Sequence, residues 1–173
     1  MNTKKILCVC LSLLMALSAL AFAACGKKAE TVKLGLGIHT TTKATSANED
    51  ANGQGQATMT VAAVTLDAAG KITACQLDCA DSTVAYTGEG KAVANDSFKT
   101  KYEAGKDYNM VAYGGAAKEW FEQADAFNAS CVGKKVSEIT SLMGSDNYGN
   151  ADVKAAGCTI LVNGFVKAAA KLG

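Results

Sequence analysis

The residues best suited to chemistry lie close together near the C-terminus, in residues 155–165, which read AAGCTILVNGF. Gly157 permits a tight turn, Thr159 follows it, and Asn163 begins the predicted last helix, which runs to about Leu172. Amides at a helix N-terminus attract anions, and a threonine hydroxyl beside a bound phosphate can be esterified by it. The alternative is that Thr159 only begins a turn or caps the helix.

Other catalytic arrangements have little support in the sequence. His39 is the only histidine, and we interpret it as a solvated residue at a strand end. Cys75 and Cys79 are predicted to be small core residues on one strand face, since about 13 Å between their Cα atoms is too far for a disulfide. A bridge between Cys131 and Cys158 remains open. With one histidine in the chain, we expect no metal site.

The charge balance argues against a nucleic-acid partner. The formal net charge is +1, and all 17 basic residues are lysines. A protein that binds nucleic acid needs a basic surface, which this composition does not favour. Without arginine, a phosphate would have to be bound by lysines, hydroxyls and backbone amides.

The N-terminus has the layout of a secretory signal. Lys4 and Lys5 precede an apolar stretch from Ile6 to Ala24, and small residues come just before Cys25. A transmembrane helix is the alternative, because the apolar length nearly suffices to span a bilayer.

The residues FAAC at the end of this stretch resemble a bacterial lipobox. The resemblance implies cleavage before Cys25 and lipidation of that cysteine, which would hold the protein on the extracytoplasmic face of the cell membrane. We therefore expect a signal peptide at 1–24, a lipidated anchor and short linker at 25–30, and one domain at 31–173.

The first strand of that domain is predicted from a strict alternation. One side carries apolar residues and the other carries two glycines, Gly35 and Gly37, which is typical of a half-buried strand. The glycines leave room for another backbone or a flat ligand, although a glycine-tolerant edge strand fits equally well. The apolar residues are Val32, Leu34, Leu36 and Ile38.

Strands are predicted to fill the first half of the domain. A long polar loop over 40–56 precedes a second strand at about 58–66, and a hairpin turn at 67–70 leads to a third at about 72–78. A short fourth strand is expected over 82–87.

Helices are predicted to fill the second half. After Gly115, an apolar stripe recurs at helical spacing, and Ser137 is expected to cap a short helix further on. The stripe comprises Ala117, Trp120, Phe121, Ala124, Phe127 and Cys131. Strands followed by helices indicate an α+β fold with a mainly antiparallel sheet and helices packed on it.

The densest aromatic segment has two interpretations. Tyr108, Met110, Tyr113, Trp120 and Phe121 could pack the core, or some of them could form a wall against a flat aromatic cofactor. Composition does not separate the two.

The stretch AGCTILVNGF resembles the S/T-G-A-T-x-T-S-N-G-V signature of bacterial FMN-binding domains, which include the flavinylated subunit of the sodium-pumping NADH–quinone reductase. The resemblance implies an FMN-binding-domain fold and a phosphoester from FMN to Thr159, installed by a flavin transferase. It also implies cofactor contacts from Gly157, Cys158, Ile160 and Asn163.

The segments TVAAVTLDAAGKI, KTKYEAGKDYNM and KEWFEQADAF resemble parts of membrane-anchored flavin-carrying lipoproteins of Gram-positive bacteria. The resemblance implies electron transfer from a quinone-linked donor in the membrane to acceptors outside the cell. Tyr108, Met110 and Trp120 are then candidates for the wall against the flavin ring.

The leading hypothesis is therefore a membrane-anchored extracytoplasmic FMN carrier, which relays electrons rather than converting a dissolved substrate. The second hypothesis is a non-enzymatic lipoprotein of the same fold that has lost flavin and binds another ligand or partner. A third is that the released signal fragment acts as a peptide pheromone.

Overall fold

A computed structural model describes residues 32–93 and 98–172, so the predicted signal peptide and Cys25 lie outside the described residues. Four strands form one antiparallel sheet in the order β1-β2-β3-β4. They are β1 (Lys33–Thr45), β2 (Gly53–Leu66), β3 (Ile72–Tyr86) and β4 (Ala92–Val93). The α-helices are α1 (Lys101–Ala104), α2 (Trp120–Cys131), α3 (Ala151–Ala155) and α4 (Asn163–Ala169), and two 3-10 helices span Gly105–Tyr108 and Val136–Leu142. Because α2 and α4 pack on the sheet, the predicted α+β class is confirmed.

The strands are longer than the sequence pattern predicted. The expected loop over 40–56 is wrong, because β1 continues to Thr45 and β2 already begins at Gly53. The two strands expected at 72–78 and 82–87 are one strand. Its middle is held by Asp81, which pairs with Thr58 in the register and accepts a 2.6 Å hydrogen bond from the Thr58 hydroxyl.

The predicted hairpin turn between β2 and β3 is confirmed. The amide of Gly70 donates to the carbonyl of Asp67 over 3.0 Å, and Gly70 has a φ of 77°. The Asp67 carboxylate accepts hydrogen bonds from the amides of Ala69 and Lys71. Aspartate followed by a positive-φ glycine is a turn arrangement that needs little help from packing.

On β1 the apolar side chains face the solvent and the glycines face the helices, which is the reverse of the usual arrangement. The apolar side is exposed, with Leu34 at 84% and Leu36 at 65% of full exposure. The side that carries Gly35 and Gly37 faces the helices instead. The alternation was therefore predicted correctly, whereas the apolar face of this edge strand is not the covered one.

The glycines of β1 allow α4 to approach the sheet very closely. A Cβ atom built on Gly37 would lie 2.0 Å from the carbonyl oxygen of Ala168 in α4, and one on Gly35 would lie 3.2 Å from the Leu172 side chain. Only glycine leaves room for a helix backbone at this distance. The two glycines therefore make room for another backbone, which is one of the two interpretations of the sequence. The other is also correct, because β1 is an edge strand.

The core lies between the sheet and α2. Four of the six predicted stripe residues are buried, and Phe121 is half-buried, but Ala117 is exposed and precedes the helix. The Phe127 and Phe165 rings pack with their centroids 5.4 Å apart, which joins α2 to α4. The helix begins at Trp120, not directly after Gly115.

The short helix expected to begin at Ser137 is a 3-10 helix from Val136 to Leu142. Ser137 does not cap it. The carboxylate of Glu138 instead accepts a 2.7 Å hydrogen bond from the amide of Lys135, which precedes the helix. Within residues 32–93 and 98–172, no helix is both long and apolar enough to cross a bilayer.

Candidate functional site

Thr159 lies in an exposed turn between α3 and α4. Gly157 has a φ of 104°, which favours glycine, and the next residue, Cys158, is fully buried. The amide of Cys158 donates to the carbonyl of Val153 in α3 over 3.1 Å. The chain therefore turns at Gly157, is fixed at Cys158, and brings Thr159 to the surface.

One buried side chain orients Thr159. The amide and the hydroxyl of Thr159 both donate to Oε1 of Gln123, each over 2.9 Å. Gln123 belongs to α2, is 1% exposed, and donates from Nε2 to the carbonyl of Lys118. Thr159 is thus an exposed residue whose hydroxyl is held in one orientation.

A cleft of about 240 Å³ opens on the inner face of the sheet. It is lined by polar residues of the first three strands, by the start of α2, and by the segment that leads into α4. Leu161 and Asn163 line it, so the segment that follows Thr159 forms part of the cleft. Thr159 itself is not among the lining residues.

Lys101 supplies a fixed positive charge to the cleft. Its Nζ lies 3.0 Å from a carboxylate oxygen of Asp81 and 5.0 Å from the centroid of the Tyr108 ring. Partial burial by itself would lower the pKa of Lys101, but hydrogen bonds to Tyr108 and Asp81 outweigh it and hold the pKa above its usual value. Lys101 is therefore protonated throughout the physiological range.

The carboxylate of Asp81 is ionised for a matching reason. Partial burial would raise the pKa of Asp81, but hydrogen bonds from Thr58 and Lys101 outweigh this effect and lower it. The Lys101 charge is thus partly neutralised by Asp81, and a ligand anion would share the lysine with it.

His39 lines the cleft from the middle of β1 rather than standing at a strand end. Its pKa is lowered from the usual value, first by partial burial and then by the positive charges of Lys167 and Lys171. The imidazole is therefore neutral at pH 7. An anion placed between His39 and Lys167, which also lines the cleft, would oppose this shift.

The apolar part of the cleft comes from Trp120, Leu161 and Phe165. Trp120 is only 4% exposed, because its ring meets that of Phe165 edge-on at 5.8 Å and that of Tyr102 at 6.5 Å. It therefore presents a small part of its ring to the cleft. Leu161 is 53% exposed and offers most of the accessible apolar surface.

The predicted helix N-terminus is present at Asn163, but one of its amides is already bonded. The side chain of Asn163 accepts a 2.9 Å hydrogen bond from the amide of Gly164. Val162, which precedes the helix, makes no side-chain cap. A phosphate at this end would need Asn163 to turn away from Gly164.

The other predicted cofactor contacts are dispersed. Tyr108 is 39% exposed and approaches the cleft through Lys101. Met110 packs against the core, and its amide is bonded to the buried carboxylate of Glu119 over 3.0 Å. Ile160 is half-buried against the same core.

Sequence reasoning missed the polar side of the cleft. Thr41 and His39 on β1 and Thr58 and Thr60 on β2 all line it, because their positions alternate onto the inner face. On each strand the two residues are two positions apart, and this spacing, which places them on one face, is visible in the sequence. Lys101 had no such signal, since its place depends on where α1 meets β3.

The four described cysteines are free thiols, so a Cys131–Cys158 bridge is not formed. Cys75 and Cys79 both lie on the inner face of β3, as predicted; Cys79 is buried and Cys75 half-buried. In the described part of the chain, no three His, Cys, Asp or Glu residues are grouped to bind a metal.

Together, the fold and the site define an α+β protein with a small, mixed polar and apolar cleft beside an oriented surface threonine. Comparisons of the chain with protein-family models, with curated proteins and with solved structures found no match.

Proposed function

We propose that this chain is a membrane-anchored extracytoplasmic flavin carrier, with FMN attached to Thr159 through a phosphoester. The observation that carries the proposal is the placement of Thr159, an exposed residue whose hydroxyl is oriented by Gln123 and which lies two residues before the cleft-lining Leu161. When bound, the flavin supplies the electron-transfer chemistry, and the protein holds and orients it.

The local hydrogen bonds are compatible with esterification. An ester at Oγ1 of Thr159 removes the hydroxyl proton, and the hydrogen bond from that hydroxyl to Gln123 is lost. The second bond, from the Thr159 amide to the same oxygen, remains. The turn would thus keep its attachment to α2 after modification.

The cleft residues suit the parts of an FMN molecule. Lys101 and Lys167 favour a negative group, and Leu161 and Trp120 provide apolar surface for a ring. A volume of about 240 Å³ is slightly below the roughly 300–1,000 Å³ of pockets that enclose a ligand. Part of the cofactor would remain outside, which suits a carrier that exchanges electrons at its surface.

The proposed location depends on the N-terminal segment. Lipidation of Cys25 would leave a linker of five residues, 26–30, which reaches at most about 18 Å. The domain would then stay near the membrane, within reach of a quinone-linked electron donor. A flavin transferase is the other partner that the proposal requires.

The test uses a tryptic peptide. Cleavage after Lys154 and Lys167 releases residues 155–167, in which Thr159 is the only hydroxyl-bearing residue. The full chain is expressed with and without a flavin transferase, and this peptide is analysed by mass spectrometry. With the transferase, we expect a gain of one FMN less one water, which Thr159→Ala abolishes. An unmodified peptide in the presence of an active transferase would contradict the covalent proposal.

Two variants serve as matched controls. Thr159→Ser keeps the hydroxyl and should still be modified. Thr140→Ala removes an exposed threonine outside the site, whose hydroxyl bonds only within its own 3-10 helix, and should leave the modification unchanged.

The second candidate is a carrier that binds its ligand without a covalent bond. It is favoured by one observation, namely that Thr159 does not line the cleft whereas Lys101 and Lys167 do. Titration of the unmodified protein with FMN, followed by flavin fluorescence, distinguishes the two. Binding that Lys167→Met weakens and Thr159→Ala leaves intact would favour this candidate.

A further inference from the structure

Two of the free cysteines face each other across the packed layers of the domain. Cys75 lies on the inner face of β3, opposite Val64 of β2. Cys131 is the last residue of α2 and is 1% exposed. The flavin proposal uses neither thiol.

Backbone hydrogen bonds hold the end of α2 against the start of β3. The amide of Ile72 donates to the carbonyl of Lys134, and the amide of Gly133 donates to the carbonyl of Ile72, each over 2.8 Å. Cys131 lies two residues before Gly133, and Cys75 lies three residues after Ile72. These two hydrogen bonds therefore fix the backbone close to both cysteines.

The Cys75 and Cys131 side chains pack in the same core and lie close enough to affect each other's ionisation. The interaction with Cys131 lowers the pKa of Cys75 despite its partial burial. The same interaction and then burial raise the pKa of Cys131. Cys75 is the more exposed of the two thiols, so an oxidant reaches it first.

The other two described cysteines have different surroundings. Cys79 accepts a hydrogen bond from the Thr60 hydroxyl over 3.8 Å, and burial raises its pKa. Cys158 is fully buried, and burial raises its pKa as well. Neither is paired with a second thiol in this way.

We infer that Cys75 and Cys131 are a redox-active pair that closes to a disulfide when the protein meets a thiol oxidant such as a small-molecule disulfide. The Cys75 thiolate attacks one sulfur of the oxidant and releases one thiol, which leaves a mixed disulfide on Cys75. The Cys131 thiolate then displaces the second thiol. Two protein thiols are oxidised, one disulfide is reduced to two thiols, and the protons remain balanced.

The bond would tie α2 to β3 and would close a loop of about 56 residues. Cross-links over loops of this length stabilise chiefly by restricting the unfolded chain. We expect the melting temperature to rise by roughly 10 °C on oxidation and to fall again on reduction.

The test again relies on tryptic peptides. Cleavage at lysines places Cys75 and Cys79 in residues 72–91, and Cys131 in residues 119–134. The full chain is treated with oxidised glutathione, remaining thiols are alkylated, and the digest is analysed without reduction. We expect peptide 72–91 to appear linked to peptide 119–134, with the linked mass lower by two hydrogens.

Single variants decide which cysteine forms the link. Cys79→Ser should keep the link and the rise in melting temperature, whereas Cys75→Ser should lose both and leave Cys131 available for alkylation after unfolding. Circular dichroism checks that each variant is folded. The inference is overturned if Cys75 and Cys131 are both alkylated after oxidation, or if the link survives in Cys75→Ser.

Discussion

Replacing Gly37 by alanine tests the contact that places α4, and with it one side of the cleft, on the sheet. The added Cβ would lie 2.0 Å from the carbonyl oxygen of Ala168, whereas ordinary contact begins at 3.4 Å. The helix backbone would have to retreat by about 1.4 Å. A backbone atom cannot move aside as a side chain can, so α4 must shift as a body.

The magnitude follows from two opposing terms. Overpacking of a well-packed interior costs about 1–3 kcal/mol, and a backbone obstruction places Gly37→Ala at the upper end. Replacing glycine by alanine also stabilises by about 0.4–1 kcal/mol, because the unfolded chain has fewer conformations to lose. We expect a net loss of about 2 kcal/mol in the free energy of unfolding.

Urea denaturation followed by circular dichroism measures this loss. For a chain of 173 residues, 2 kcal/mol corresponds to a fall of roughly 4–8 °C in melting temperature and of about 1 M in the urea midpoint. The matched control is Gly55→Ala in β2, where an added Cβ meets nothing within 4 Å. This variant should be as stable as the parent or slightly more so. Equal stability of the two variants would refute the close approach of α4 to β1.

Two further measurements examine the core and the cleft. Phe127→Ala, at a fully buried ring packed on Phe165, should cost about 3–5 kcal/mol in denaturation experiments, whereas Phe98→Ala, at a 49% exposed ring, should cost little; equal losses would contradict the assigned core. NMR titration of His39, the only histidine in the sequence, should give a pKa below 6.5. As the pH falls, the unfolded chain therefore takes up the proton first. The free energy of unfolding should decrease as the pH drops from about 6.5 toward the pKa of His39 in the folded protein. Lys167→Met should raise this pKa, and a parent value at or above 6.5 would show the assigned surroundings of His39 to be wrong.

How far the sequence predicted the fold differs from element to element. The turn at Asp67 and Gly70 was predicted because its hydrogen bonds join neighbouring residues. The polar stretch after His39 predicts a loop, and this prediction is wrong because the stretch becomes a strand only by pairing with β2. The threonines at 40–42 favour a β-strand, but this stretch lacks the alternation of apolar and polar residues by which a strand is recognised in a sequence.

The candidate site shows the same division. Thr159 and its turn were identified from local sequence, since Gly157 marks the bend and the helix start follows closely. Gln123, which orients Thr159, lies 36 residues away in another helix, and no local pattern could join the two. Lys101 likewise enters the cleft only through the docking of α1 against β3.

By itself, the sequence determined the α+β class, the apolar stripe of α2, and the tight turns at Asp67–Gly70 and at Gly157 before Thr159. All of these depend on residue type and short spacing. Tertiary structure alone decided which face of β1 is covered and which cysteines meet. An alternating strand specifies two faces but not which one the helices will cover, and here the absence of side chains at Gly35 and Gly37 let a helix backbone come closer than the leucine face would allow.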